Sequence, residues 1–161
     1  MAGGDFMLAH RHHFLAGLIS LAQRRRFRGD QAVYARWSHC ALVETETSVI
    51  EAEARGVVRS PLSKYRSDEY HLVRLDLDPV ARARAVEYAQ AQVGQAFGFL
   101  DLFGACLYLL SGRPVRMVRR HHEICSSLVV RALQAAGLLN ELDPALTLPA
   151  DLAKRFQVRA S

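Results

Sequence analysis

Cys125 is the residue whose type and position best suit catalysis in this sequence. It comes just before residues 126–136, whose pattern predicts a helix. A thiol at a helix N-terminus feels the positive end of the helix dipole and the unpaired backbone N–H groups, which lower its pKa. The same N–H groups can form an oxyanion hole. The alternative is that Cys125 is buried and packs as a small apolar side chain. This second interpretation suits Cys40 and Cys106 better than it suits Cys125.

A thiol nucleophile needs a general base, and the base needs a partner that orients it. His39 and Glu51 lie on two predicted strands that the polar residues 44–47 join as a hairpin. If the turn is centred on Thr45, His39 lies directly opposite Glu51, with Cβ atoms ~5 Å apart. If the turn is centred half a residue later, Glu51 lies opposite Cys40, and His39 and Glu51 do not form a pair. An incidental His–Glu pair on a half-exposed sheet is the alternative.

Metal and cofactor sites are not indicated. The sequence contains no His-x-x-x-His and no Cys-x-x-Cys, and it has no phosphate-binding glycine loop, Gly-x-Ser-x-Gly turn or dinucleotide fingerprint. We therefore expect no cofactor and no metal. The histidines considered as ligands are His10, His12, His13, His121 and His122.

The composition is that of one globular domain. The chain has 161 residues, of which 50% are hydrophobic and 23% charged, so it can bury a core as a single domain over residues 1–161. These values exclude a disordered chain, a collagen and a coiled-coil rod. Three cysteines are too few for a disulfide scaffold, which favours free thiols and a reducing compartment.

The basic charge is carried almost entirely by arginine. The net charge is +5, with nineteen arginines and two lysines. A high-GC genome explains this bias, and a surface for an anionic or lipid partner is the alternative. No aromatic residues are interleaved with the arginines, so we expect no nucleic-acid partner. The clustered arginines are Arg24, Arg25, Arg26, Arg28, Arg119 and Arg120.

The apolar residues 14–22 have about the length of a signal-peptide core. The positive charge follows this run rather than preceding it, and no small-residue cleavage site lies between. We interpret it as a buried amphipathic helix. No apolar run reaches the ~18 residues that span a bilayer. We therefore expect a cytoplasmic protein as synthesised.

Strands cluster early in the chain and helices late. This order predicts an α+β domain with a small antiparallel sheet packed against helices. Asp78 and Pro79 are a typical helix start, and Gly94 and Gly137 typical helix stops. The predicted strands are 6–9 at an edge of the sheet, 37–43, 49–52, 69–77 and a closing strand over 156–159. Residues 56–58 are expected to extend the strand over 49–52 or to form a bulge in it. The predicted helices are 14–27, 80–93, 99–110, 126–136 and a short one from Pro149.

The order of several short motifs resembles that of the circularly permuted NlpC-type papain-like cysteine peptidases (YiiX-like). The strand that starts at Ser38 and His39 resembles that family's "SHvgiv" strand, and Ile124 to Leu128 resembles "yCSEL" at the nucleophile helix. The pieces follow the right order over nearly the whole chain. The other matching pieces are Gly4-Asp5-Phe6, Ile50-Glu51-Ala52 with Gly56-Val57, Tyr70 to Leu75, Gly94 to Gly98, and Thr147 to Leu152.

The resemblance implies a papain-like α+β fold in permuted order, with the histidine before the cysteine. By that likeness Cys125 is the nucleophile, His39 the base and Glu51 the orienting residue. Two departures bear on the cleft: the family's Glu after Cys-Ser is Ser127 here, and its Tyr-Asp turn is Phe97-Gly98.

We therefore expect a cysteine hydrolase that forms an acyl-enzyme on Cys125. The resemblance favours a small amide or peptidoglycan-fragment substrate, because the broader superfamily cleaves stem-peptide amides. Delivery to the cell wall by a route other than a signal peptide is left open. Acyl transfer, or hydrolysis of a thioester or lipid ester on the same triad, is the alternative within the fold. A basic binding module without catalysis is a further alternative. The sequence does not indicate the oligomeric state.

Overall fold

The computed structural model describes residues 2–11, 14–65, 69–96 and 124–159. The predicted helix over 99–110 and Cys106 lie outside these ranges, as do four of the seven histidines. The strands are β1 (Phe6–His10), β2 (His39–Val43), β3 (Ser48–Glu53), β4 (Gly56–Pro61) and β5 (Glu69–Val73). The helices are α1 (Phe14–Arg26), α2 (Pro79–Gln92), α3 (Cys125–Ala135) and α4 (Pro149–Arg155), with 3₁₀ helices at Gly29–Arg36 and Leu62–Tyr65.

The five strands form one antiparallel sheet in the order β4-β3-β2-β1-β5. The expectation that β1 is an edge strand is wrong, since it lies between β2 and β5. All four residues from Phe6 to Ala9 are fully buried. A short apolar run of this kind is typical of a strand that is covered on both faces. The sheet and its helices make the chain an α+β fold.

Each sheet face has its own apolar cluster. Cys40, Leu42 and Ile50 lie on the face that packs against α2 and α3. Ala41, Val43 and Val49 lie on the opposite face, which Tyr65 covers together with Leu62 and Leu72. The residues of β2 alternate between the two faces, as side chains of a strand must.

β4 is a strand of its own, rather than an extension or bulge of β3. The chain reverses between Glu53 and Gly56, which are paired in the ladder. Gly56 has φ +116°, and a Cβ there would lie 2.5 Å from the carbonyl oxygen of Gln95. Val57 N–H donates to that oxygen at 2.8 Å, so the segment after α2 packs closely on the start of β4.

β5 ends four residues earlier than predicted. Val73 pairs with Phe6, the first residue of β1, so no strand partner remains beyond it. The backbone N–H of Leu75 donates to the Asp5 carboxylate at 3.1 Å, and the Arg82 side chain donates to the Leu75 carbonyl. Side chains thus satisfy the backbone groups that a longer strand would have paired.

The expectation of a closing strand over 156–159 is also wrong. The chain turns after α4, and Val158 N–H donates to the Ala153 carbonyl at 2.8 Å. The Trp37 indole N–H donates to the Val158 carbonyl at 2.9 Å, so a side chain rather than a strand holds the tail. Gln157, between these contacts, has φ +56°, which is not a strand conformation.

Helix boundaries agree closely with the local signals. The Asp78 carboxylate caps α2 by accepting from Ala81 N–H at 2.8 Å, with Pro79 in the first turn. Gly94 and Gly137 follow α2 and α3 with φ near +90°. No helix within the described ranges is long and apolar enough to cross a membrane.

Gln23 joins α1 to the rest of the fold. Its side chain is fully buried. Its Nε2 donates to the carbonyls of Ala35 and Trp37 at 3.2 and 2.9 Å, and its Oε1 accepts from Ala150 N–H at 2.9 Å. Ile19 and Gln23 are buried, whereas Leu21 is 63% exposed, so a polar side chain lies inside and an apolar one outside.

Candidate active site

Cys125 is the first residue of α3 and is only 5% exposed. The sequence placed it just before the helix, a difference of one residue. Ile124 is the N-cap, with an extended backbone. Ser127 Oγ accepts from Ile124 N–H at 2.9 Å and donates to the Ile124 carbonyl at 3.0 Å. Ser127 thus makes the return contact that a Glu at this third helical position makes in a capping box.

The Cys125 sulfur contacts the first two residues of β2. Its hydrogen-bond partners are the His39 ring, the Cys40 thiol and the Cys40 backbone N–H. His39 and Cys40 point to opposite faces of the sheet, so a group that touches both must lie at the end of the strand. The nucleophile predicted from the sequence therefore meets the predicted base directly.

The Cys40 N–H can bond to the Cys125 sulfur because the pairing of β2 with β3 ends near Cys40. Their ladder contains the pairs Leu42–Ile50 and Val43–Val49. N–H groups along an antiparallel strand alternate between its two neighbours. Val43 N–H donates to the carbonyl of Asp5, just before β1, at 2.8 Å, so the N–H groups of Leu42 and Cys40 point toward β3. At Cys40 the sulfur of Cys125 takes the place of a β3 carbonyl.

His39 Nε2 hydrogen-bonds to Glu51 Oε2 at 2.7 Å. The contact is the one proposed from the sequence, but both registers considered there are wrong. The observed register pairs Leu42 with Ile50 and, extended by one residue, sets Ala41 across from Glu51. His39 and Glu51 are diagonal neighbours on one face, close enough for a long side chain to bridge.

The shape of the hairpin turn explains the register. The N–H groups of Glu44 and Thr45 both donate to the Ser48 carbonyl, at 3.0 and 3.2 Å. Thr45 Oγ1 accepts from the N–H groups of Thr47 and Ser48 at 3.3 and 3.1 Å. This turn is centred on Glu46, which moves the pairing past both of the predicted positions.

Glu51 is fully buried and has a donor on each oxygen. The Tyr65 hydroxyl donates to Oε2, which also accepts from His39. Lys64 Nζ donates to Oε1 at 2.7 Å, and Arg11 Nη1 lies 3.8 Å from Oε2. A buried carboxylate needs such partners, since an unpaired buried charge is costly.

A second carboxylate completes this network. Glu53 accepts from Arg11 at 2.9 Å and from Lys64. Two carboxylates therefore share Arg11 and Lys64, and Glu53 also pairs with the exposed Arg55 at 3.4 Å. No signal in the sequence points to Arg11, Lys64 or Tyr65, because they follow β1 and β4 and no motif spacing relates them to Glu51.

The site favours the charged form of His39. Burial alone would lower the pKa of its imidazole, but the hydrogen bonds to Cys125 and Glu51 outweigh burial and raise that pKa to about 9. Nε2 is bound to Glu51, so Nδ1 is the ring nitrogen left for the thiol. Burial would raise the pKa of Glu51, but the His39 hydrogen bond and charge hold it well below its ordinary value.

The thiols titrate in opposite directions. The hydrogen bond from Cys40 and the charge of His39 lower the pKa of Cys125 well below its ordinary value, although burial opposes this. Burial and the neighbouring Cys125 raise the pKa of the Cys40 thiol. These shifts favour a Cys125 thiolate beside a His39 imidazolium, with Cys40 as a protonated donor.

The chemistry open to this arrangement is nucleophilic attack on an electrophilic carbon. The first N–H groups of a helix have no hydrogen-bond acceptor within the helix. The Cys125 N–H makes no such bond and can therefore donate to an oxyanion that develops on the substrate. Within the described ranges no group of three or more His, Cys, Asp or Glu side chains is arranged to hold a metal ion.

Comparison with protein-family models finds no match for this chain. Comparison with curated proteins also finds no match.

Proposed function

We propose that the protein is a cysteine hydrolase with Cys125 as nucleophile, His39 as general base and acid, and Glu51 as the residue that orients His39. The observation that carries this proposal is the connected chain of contacts from the helix-terminal thiol, through His39, to the buried carboxylate 2.7 Å from Nε2. Nucleophile, base and orienting group in that order are the requirements of thiol-based acyl chemistry.

In the proposed reaction the Cys125 thiolate attacks the substrate carbonyl carbon, and the electron pair moves to the carbonyl oxygen. The Cys125 backbone N–H stabilises that oxyanion. Collapse breaks the C–N bond, and the His39 imidazolium protonates the leaving amine. Neutral His39 then takes a proton from water, which attacks the thioester carbon. The C–S bond breaks, the acyl group leaves as a carboxylic acid, and the Cys125 thiolate and His39 imidazolium are restored. Glu51 remains ionised throughout and holds the imidazole orientation.

The substrate class follows from the resemblance to the permuted NlpC-type peptidases rather than from the geometry of the site. That resemblance favours an amide bond in a peptidoglycan-type peptide. Two features support membership of this group. The motifs follow the permuted order, with His39 before Cys125, and the cysteine on a helix lies beside the histidine on a strand. The proposal needs no cofactor.

A second candidate is acyl transfer, or hydrolysis of a thioester or lipid ester, on the same three residues. One surface feature favours it. Leu21 is 63% exposed, and Arg24 and Arg25 are exposed beside it near the end of α1. An exposed apolar side chain among cations suits the interface of an anionic lipid layer. Hydrolysis of lipid esters in vesicles, but not of peptide amides, would favour this candidate.

The first test is the alkylation of the thiols by iodoacetamide as a function of pH, with mass-spectrometric site assignment. We expect Cys125 to react well below the ordinary thiol pKa of ~8.5, because His39 and the helix N-terminus stabilise the thiolate. In His39→Ala the midpoint of the Cys125 profile should move to higher pH. Hydrolysis of amide and ester panels should be lost in Cys125→Ala.

Cys106, in the same digest, is the thiol with which Cys125 is compared, and circular dichroism checks that His39→Ala is folded. Equal reactivity of Cys125 and Cys106, or a Cys125 profile that His39→Ala leaves in place, would remove the catalytic proposal.

A further inference from the structure

Two thiols meet at the start of β2. Cys40 and Cys125 are both free cysteines and both buried, at 0% and 5% exposure. The Cys40 thiol hydrogen-bonds to the Cys125 sulfur, and the Cys40 backbone N–H bonds to the same sulfur. They belong to one apolar cluster, in which α3 packs on β2. The thiol beside Cys125 is therefore held in place by a strand on one side and a helix on the other.

Cys40 does more than fill space among its apolar neighbours, because it places a second sulfur beside the Cys125 sulfur. It lies among apolar side chains of the sheet face, such as Leu8 and Leu42. A valine or alanine would fill such a site without placing a second sulfur against the reactive one. The sequence gives no sign of this role, because Cys40 and Cys125 are far apart in the chain.

We propose that Cys40 and Cys125 are a reversible redox pair, in which a hydroperoxide oxidises Cys125 and Cys40 captures it as an intramolecular disulfide. The bridge switches the nucleophile off and protects it from irreversible oxidation. This inference goes beyond the proposed hydrolase function. It depends on the reactive thiol and its neighbour, and it does not depend on which bond the enzyme cleaves.

The first step forms a sulfenic acid. The Cys125 thiolate attacks one oxygen of hydrogen peroxide, an S–O bond forms and the O–O bond breaks. The departing hydroxide takes the proton of the His39 imidazolium and leaves as water. Cys125 loses two electrons in this step, and the peroxide gains them.

The second step closes the bridge. The Cys40 sulfur attacks Cys125 Sγ, the S–S bond forms and the S–O bond breaks. The hydroxide that leaves combines with the Cys40 proton to give a second water. In total, two thiols and one peroxide give one disulfide and two waters. A dithiol reductant reverses the process by exchange, which restores both thiols.

The test is controlled oxidation of the full chain with hydrogen peroxide, followed by intact mass and a non-reducing peptide map. We expect the wild type to lose the mass of two hydrogen atoms, with the Cys40 peptide linked to the Cys125 peptide. Alkylation of Cys125 should be lost on oxidation and recovered with dithiothreitol. These readouts need no substituted protein, so they stand even if a variant folds poorly.

Two matched variants sharpen the result. Cys40→Ser keeps a hydrogen-bond donor of similar size but cannot form the bridge, so Cys125 should gain two or three oxygen atoms and dithiothreitol should not restore it. Cys106→Ser removes the other thiol and should oxidise like the wild type.

Three results would overturn the proposal: sulfinic acid at Cys125 of the wild type without the linked peptide, a bridge that contains Cys106 instead of Cys40, or recovery of Cys40→Ser by dithiothreitol. Failure here is distinct from failure of the hydrolase proposal. A bridge without any hydrolysis would count against the hydrolase, and hydrolysis without a bridge would count against the redox pair.

Discussion

At the scale of single residues, the chemistry depends on which groups Glu51 and Cys125 can reach. Glu51 is diagonal to His39 rather than opposite it, and a 2.7 Å hydrogen bond still joins them. Lys64 donates to the other carboxylate oxygen, and the Tyr65 hydroxyl donates to the same oxygen as His39. Because those partners already neutralise much of its charge, we infer that Glu51 contributes orientation as well as electrostatic stabilisation of the imidazolium.

Glu51→Gln tests this role. The substitution keeps the shape of the side chain and removes its negative charge, so the pKa of His39 should fall from about 9 toward its ordinary 6.5. The thiolate–imidazolium pair then exists over a narrower pH range. In the pH profile of hydrolysis, which needs the imidazolium to protonate the leaving amine, the alkaline limb should move to lower pH.

Glu53→Gln is the matched control for that change. Glu53 shares Lys64 and Arg11 with Glu51, and its hydrogen bonds and ion pairs within the described ranges are with Arg11, Lys64 and Arg55 rather than with His39. Its substitution should leave the alkaline limb near the wild-type position. Equal shifts in both variants would mean that the whole charge network, rather than the Glu51 contact, sets the His39 pKa.

At the scale of elements, the candidate site forms where several elements begin or separate. β2 starts at His39, α3 starts at Cys125, and the β2–β3 ladder has opened by Cys40. Each of these ends leaves backbone groups without a regular partner, and the sulfur of Cys125 uses one of them. Precise placement of β3 and β4 therefore matters, since β3 carries Glu51 and the 3₁₀ helix after β4 carries Lys64 and Tyr65.

Gly56→Ala should destabilise the fold through the contact between β4 and the segment after α2. The residue has φ +116°, and the new Cβ would lie 2.5 Å from the Gln95 carbonyl oxygen. Backbone atoms cannot easily move aside, so we expect a loss of about 1–3 kcal/mol in the free energy of unfolding, measured in urea.

Gly29→Ala separates the two causes of that loss. Gly29 also has a positive φ, +57°, but a Cβ there meets nothing within 4 Å. Its substitution should cost about 1 kcal/mol, the price of the left-handed backbone alone. If both variants lose the same stability, the close approach at Gly56 has no energetic effect.

At the scale of the whole molecule, the buried charges make stability depend on pH. The pKa of Glu51 is held well below its ordinary value of 4.5. The folded protein therefore binds fewer protons at this site than the unfolded chain does. The stabilisation is fully present above pH 4.5 and is lost as the pH falls below that value.

The free energy of unfolding of the wild type should thus fall on acidification from about pH 6 to about pH 3, with about 1–3 kcal/mol of the loss arising from Glu51. The Glu51→Gln variant should be less stable than the wild type at pH 6, but its free energy of unfolding should fall less on acidification. The two plots of free energy of unfolding against pH should therefore converge. Denaturant titrations followed by circular dichroism at several pH values measure this.

Glu141→Gln provides the comparison for an exposed carboxylate. The Glu141 side chain is 57% exposed and is 3.4 Å from the Arg155 guanidinium. The free energy of unfolding of Glu141→Gln should fall with pH in parallel with that of the wild type. If Glu51→Gln also runs parallel to the wild type, the Glu51 carboxylate is not responsible for the loss of stability in acid.

The sequence by itself determined the features that depend on neighbouring residues. The limits of α2 follow from Asp78, Pro79 and Gly94, because a cap, a fixed φ and a left-handed residue act within one turn. The placement of Cys125 at a helix N-terminus and the pairing of two strands around residues 44–47 were readable for the same reason. So was the α+β class, which follows from the order of these elements.

Only the tertiary structure decided how distant segments meet. The central place of β1 depends on cover from both faces, and the hairpin register depends on hydrogen bonds of the Thr45 side chain. The partners of Glu51 come from turns far from it in sequence, and the contact between Cys40 and Cys125 needs α3 packed on β2. Such contacts form because burial brings together side chains that no local spacing relates, so no sequence pattern records them.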